Sequence, residues 1–163
     1  MSGRVYIETT IPSLYYDNRD DPETIARRSW TRRWWDRQRQ EFEVVTSSAV
    51  LEELQSGEFD SRDACLSLLR GVPLLPVERG IGEIVRTYIE HHVMPANPAG
   101  DALHLALASY HKCDFLLTWN CRHLANANKF GHIRTVNVLL GLFVPGLVTP
   151  LELLGGEDDA EAE

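Results

Sequence analysis

Short apolar runs bounded by turn residues alternate with longer stretches of helical period, the rhythm of a parallel sheet covered by helices. The runs predict strands near Arg4–Ile7, Glu43–Thr46, Pro73–Pro76, Asp114–Thr118 and Arg134–Val136. Between the first two, the spacing predicts a helix from about Pro22 to Gln40. Asp21 stands at its N-cap, Pro22 at its first position, and Ile25, Ala26, Ser29, Trp30 and Trp34 share one face. Arginines occupy the other face. Ser48 is placed to cap a helix through Leu51 and Leu54, and further helices are expected at Ser61–Leu69, Ile81–Glu90 and Pro98–Tyr110. In MPANPAG, Pro95 and Pro98 enclose a loop that ends with Asn97 capping the last of these. The expected order is β, α, β, α, α, β, α, α, β, α, β.

Composition bounds this picture. With 163 residues and 44% hydrophobic content, the chain suits one buried core, so residues 1–154 are read as one domain. No run of about 18 apolar residues occurs, and MSGRVYIETT lacks the basic start and apolar stretch of a secretion signal, which predicts a soluble, cytoplasmic protein with no membrane segment. Cys65, Cys113 and Cys121 are odd in number and contain no Cys-x-x-Cys pair, so free thiols are expected.

Charge is unevenly spread. The net charge is −8, but GGEDDAEAE holds Glu157, Asp158, Asp159, Glu161 and Glu163, leaving 16 basic against 19 acidic side chains over residues 1–156. The acidic segment 155–163 is expected to be disordered and solvated. Arg19, Arg27, Arg28, Arg32, Arg33, Arg37 and Arg39 crowd one stretch and give it a positive field. Net charge therefore does not exclude a polyanionic substrate.

Four separate motifs carry candidate chemistry: VYIETTIPS, SSAVLEEL, GDALHLALASY and LLTWNCRHLANA. In open parallel sheets ligands gather beyond the carboxyl ends of the strands. Glu8 follows the first strand, Asn120 follows the fourth by two residues, and helices starting at the same edge bring Glu53 and Asp101 nearby. Glu53 precedes Leu54 and lies one turn after Ala49, whereas Glu52 points about 100° away, so Glu53 is preferred with Glu52 left open. Gathered acids without matching bases stay ionised mainly around a cation, and hard divalent ions take oxygen ligands. A lone acid is more often a solvated charge or a cap. Glu8, however, follows the apolar VYI and Asp101 leads ALHLALA, where surface charge is less expected. Asn120 has a plainer role open to it as N-cap of a helix around His123–Asn126.

Other constellations are weaker. His111, Cys113, Cys121 and His123 resemble a zinc set, but the five-residue strand between the pairs holds them about 17 Å apart. His104 follows Asp101 by one turn and can orient it or touch phosphate, although a histidine packed within LHLAL and bonded to a neighbour is the commoner case. His91 and His92 read as an exposed helix end, and Trp30 and Trp34 as core or a dimer face. No Gly-rich phosphate loop and no G-x-S-x-G elbow is present.

Taken together, the four motifs resemble the PIN domain, the small metal-dependent nuclease fold of VapC-like toxins, over about Val5 to Leu154. The resemblance implies an α/β fold, a three-layer α/β/α PIN-like domain with a central, mainly parallel sheet of about five strands. PIN domains carry an acid after strand one, a Glu in an early helix, an Asp opening a later helix and a further acid after a strand ending in Thr or Ser. Those places match Glu8, Glu53, Asp101 and Asn120. The usual first Asp is Glu8 here and the usual fourth acid is the neutral Asn120; a branch with ETTIPS, a Trp-Trp pair and LLTWNCRHLANA is similar in the same places. Three carboxylates hold a second ion less well than four.

The resemblance further implies RNA hydrolysis by a metal-dependent endoribonuclease, with Mg2+ or Mn2+ held by Glu8, Glu53 and Asp101. Thr9, Thr10 and Thr118 are candidates to hold waters or phosphate oxygens, with His104 in support. Arg27, Arg28 and Arg32 are candidate RNA contacts. A small antitoxin protein with an arginine paired to the acids, and a homodimer, are the implied partners. The alternative is a PIN-like binding or assembly module with a weakened or inactive metal centre, which Asn120 favours and Glu8 and Asp101 oppose.

Overall fold

The computed structural model describes residues 3–97 and 99–155. Most of the acidic segment, and Pro98 at the expected start of a helix, lie outside the described residues. The strands are β1 (Arg4–Ile7), β2 (Glu43–Ser47), β3 (Leu74–Leu75), β4 (Phe115–Leu117) and β5 (Gly146–Val148). They form one sheet in the order β3-β2-β1-β4-β5, every neighbouring pair parallel. The helices are α1 (Thr10–Tyr15), α2 (Pro22–Arg33), α3 (Ser48–Ser56), α4 (Arg62–Leu68), α5 (Ile81–Glu90), α6 (Gly100–Tyr110), α7 (Ala127–Leu139) and α8 (Pro150–Leu153). They flank the sheet, giving the three-layer α/β/α architecture.

Position in the sheet explains composition. β1 lies at the centre, and its Val5, Tyr6 and Ile7 are fully buried, as expected for a parallel strand covered on both faces. Leu116 and Leu117 of β4 and Leu105 and Leu107 of α6 complete the layer beside it. The carboxyl ends of β1, β2 and β4 lie side by side, with Tyr6 in register with Val45 and Leu116. The side chains discussed below converge there.

Several expected elements shift. Arg134–Val136 is not a strand but part of α7, where Ile133, Val136 and Asn137 are buried at helical spacing; tertiary packing overrides the β-branched content of this stretch. The fifth strand is Gly146–Val148. No helix spans His123–Asn126: those residues form turns, and Asn126 caps α7 by accepting from the Asn128 N–H. α1 is an additional helix, with Pro12 in its first turn, where a missing N–H is harmless. α8 is additional too, closed by a Thr149–Glu152 capping box.

Caps and faces also differ in detail. α3 begins at Ser48 itself, with Ser47 in the N-cap position, and α6 begins at Gly100 after Ala99 instead of being capped by Asn97. The long helix runs as α2, a π segment at Trp34–Gln38 and a 3-10 turn at Arg39–Glu41. Its buried face carries Thr24, Thr31, Trp34, Trp35 and Gln38, while Ile25 and Ser29 are exposed. Thr24 and Thr31 can be buried because their hydroxyls donate locally, to Asp21 and to the Arg27 carbonyl.

Candidate metal centre

Glu8 continues from β1, its N–H donating to the Leu117 carbonyl, and only 4% of its surface is exposed. Its Oε1 accepts from the Thr10 N–H at 3.1 Å, the Thr10 hydroxyl and the Thr118 hydroxyl at 2.6 Å. Its Oε2 accepts no hydrogen bond among the described residues. Burial pushes this carboxyl above its ordinary pKa, although the charge of His104 and the Thr10 and Thr118 bonds pull the other way. A buried carboxyl in that balance holds either a proton or a cation.

Glu53 reaches the same place from α3. Its Oε1 meets His104 Nε2 at 2.5 Å and its Oε2 accepts from the Thr9 hydroxyl at 2.9 Å. Burial alone would raise its pKa, but the hydrogen bond and charge of His104, with Thr9, hold it below the ordinary carboxylate value. The approach needs a small neighbour, since a Cβ on Gly100 would stand 3.1 Å from Glu53 Oε1. Glu52 and Glu53 are both exposed on this helix, so the contacts to His104 and Thr9, and not burial, single out Glu53.

His104 is buried on α6, one turn after Asp101. Its Nδ1 lies 2.7 Å from Tyr6 Oη, which lies 2.7 Å from Ser47 Oγ. Burial would lower the imidazole pKa, yet the Glu53 hydrogen bond and the charges of Glu8, Glu53 and Asp101 raise it above the ordinary value. Asp101 sits in the first turn of α6, where the helix dipole favours a carboxylate. Its Oδ1 accepts from Asn120 Nδ2 at 3.0 Å. Asn120 in turn donates its N–H to Thr118 Oγ1 and accepts the His123 N–H on its Oδ1. It therefore caps a turn and touches Asp101 at once.

Ligand atoms of Glu8, Glu53 and His104 all lie within 4.8 Å of one another. Asp101 stands outside that set and is joined to Glu8 through Asn120 and Thr118. The His111, Cys113, Cys121 and His123 pairs form no such group among the described residues. Clustered carboxylate oxygens, one of them on Glu8 free of protein hydrogen bonds, suit a hard divalent cation such as magnesium or manganese. Tyr6 and Ser47 were missed by sequence reasoning; the usable signal is that Tyr6 precedes Glu8 by two, the spacing of one strand face.

The arginines lie close by but have protein partners. Arg27 pairs with Glu23 at 2.9 Å and lies over the Trp119 ring, 5.1 Å from its centroid. Arg28 donates to the carbonyls of Asp17 and Arg19, and Arg32 to the Tyr15 carbonyl while covering the Tyr15 ring. Trp119, between Thr118 and Asn120, stacks on Trp30 and donates its indole N–H to Thr31. The basic helix is thus fastened to the strand end that carries two of the candidate residues.

Among the described residues no helix is long and apolar enough to cross a membrane. Comparison with individual curated proteins gives no match. The family model described as PIN domain matches residues 5–128, from β1 through the Asn120 turn to the start of α7, and the chain belongs to the PIN domain family.

Proposed function

We propose that this chain is a Mg2+- or Mn2+-dependent endoribonuclease and the VapC-like toxin of a type II toxin–antitoxin pair. PIN domains are generally metal-dependent nucleases with metal-binding acidic residues. The observation that carries the reading is the meeting of Glu8, Glu53 and His104 within 4.8 Å, with Asp101 one helical turn away.

Glu8, Glu53 and Asp101 hold the ion in this reading, and Asn120 orients Asp101. When bound, such an ion acidifies a coordinated water and offsets charge on the pentacoordinate phosphorus. The protein's own part is placement. Thr10 and Thr118 fix one oxygen of Glu8, Thr9 fixes one oxygen of Glu53, and burial keeps bulk water from screening Glu8. Arg27, Arg28 and Arg32 give the approaching RNA backbone a positive surface in this reading, Arg28 and Arg32 being held by backbone carbonyls and Arg27 by Glu23, with Asp17 near Arg28. A homodimer, and a small antitoxin presenting an arginine to the acids, belong to the same proposal.

Manganese titration of the protein, joined to an RNA cleavage assay on wild type and Asp101→Asn, tests it. The expected result is saturable binding and cleavage in wild type, with both weakened at least tenfold in the variant. One observation favours a second reading, a binding or assembly module: Asn120 already satisfies one Asp101 oxygen where the family places another acid. Absence of metal binding, with no difference between the two proteins, would establish the module instead.

A further inference from the structure

Behind the acids runs a buried chain of polar groups: Ser47 Oγ, Tyr6 Oη, His104 Nδ1, His104 Nε2 and Glu53 Oε1, with links of 2.7, 2.7 and 2.5 Å. Ser47, Tyr6 and His104 are each at most 1% exposed. Such a chain in the interior is strong only when complete, because an unpaired member there is costly. Its members come from the elements that carry the acids. Tyr6 lies on β1 two residues before Glu8, Ser47 stands at the head of α3 that bears Glu53, and His104 lies one turn after Asp101 on α6.

We propose that Ser47, Tyr6 and His104 form a positioning relay that sets the spacing of Glu8, Glu53 and Asp101, with His104 acting through Glu53 and not as a metal ligand. The inference rests on the metal-dependent reading above. Both ring nitrogens of His104 are already engaged, Nδ1 by Tyr6 and Nε2 by Glu53. An ion taken up by Nε2 would have to break the bond that holds Glu53. Partners that orient a ligand commonly govern affinity by about 10- to 100-fold without touching the ion.

The test measures Mn2+ affinity by the loss of free-ion paramagnetic signal, for wild type, Tyr6→Phe, Ser47→Ala, His104→Gln and His104→Ala, with thermal melts of each in chelator. RNA cleavage is then followed at low and saturating Mn2+. The relay predicts about tenfold weaker binding for His104→Ala and a several-fold loss for Tyr6→Phe, whose hydroxyl lies behind the imidazole. His104→Gln keeps an N–H donor for Glu53 and should stay within about threefold of wild type. Saturating Mn2+ should restore kcat in Tyr6→Phe while KM for RNA stays unchanged, a split that a merely unstable variant would not show. Affinities of Tyr6→Phe and His104→Ala equal to wild type would overturn the relay and leave the nuclease reading standing. Equal losses in His104→Gln and His104→Ala would make His104 a ligand and overturn it too. A wild type that binds no Mn2+ would overturn both.

Discussion

Asn120 shows how one side chain can serve two masters. Its Oδ1 caps the turn at His123 and its Nδ2 donates to Asp101, so an aspartate in its place would keep the cap and lose the donation. In chelator, Asn120→Asp should therefore destabilise the protein by about 1–2 kcal/mol, from a lost hydrogen bond and a like-charge pair. Mn2+ should shrink or reverse that deficit, because the added carboxylate favours the ion. Melting curves with and without Mn2+ check this; an unchanged deficit would separate Asn120 from the metal centre. The positions of Glu8 and Asp101 were legible because each sits at an element boundary where the parallel sheet opens. The partners of His104 were not. Glu53 is 51 residues away and Tyr6 is 98, and within the sequence VYIE a tyrosine reads as ordinary strand propensity.

At the scale of elements, the π segment packs two neighbouring tryptophans inward. Trp34 is fully buried against Trp35 and Phe42, yet its indole N–H has no hydrogen-bond partner among the described residues. Trp34→Ala should cost about 3–5 kcal/mol through the cavity it leaves. Trp34→Phe keeps an aromatic ring and removes an unsatisfied donor, so about 1–2 kcal/mol is expected. Denaturant unfolding of the two variants decides, and equal losses would contradict the unpaired N–H. The alternation of short strands and long helices was enough to predict β1, β2 and β4 closely, since their apolar runs are bounded by turn residues. β5 escaped for a physical reason. Its three residues sit inside the apolar run LFVPGLVTP, while the β-branched RTV imitates a strand but buries Val136 with Ile133 on one helix face.

For the whole molecule, the pocket acids couple stability to pH and, in the metal-dependent reading, to the bound ion. The lowered pKa of Glu53 gives stability that is present above the unfolded carboxylate value and lost as pH falls through the folded one. The raised pKa of His104 works in the opposite sense: its contribution is complete below about 6.5 and disappears as pH rises through the higher folded value. Glu8, also raised, likewise loses stability on the way up. Metal-free protein should thus melt at lower temperature as pH rises from about 6 to 9. Mn2+ should raise the melting temperature more at the alkaline end, where its ligands have shed protons. Parallel melts across that range test the coupling, and a larger Mn2+ effect at pH 6 would refute it.

The central place of β1 bears on how the chain is born. Its neighbour β4 lies some 110 residues later, as does the Thr118 hydroxyl that grips Glu8. At about 5–20 residues per second, a ribosome needs roughly 5–20 s to bring the two together. Until then the opening strand is without one of its two flanking strands. A chain cut short before β4 therefore carries Glu8 without the strand and the hydroxyl that fix it, and the pocket is assembled only near the end of synthesis.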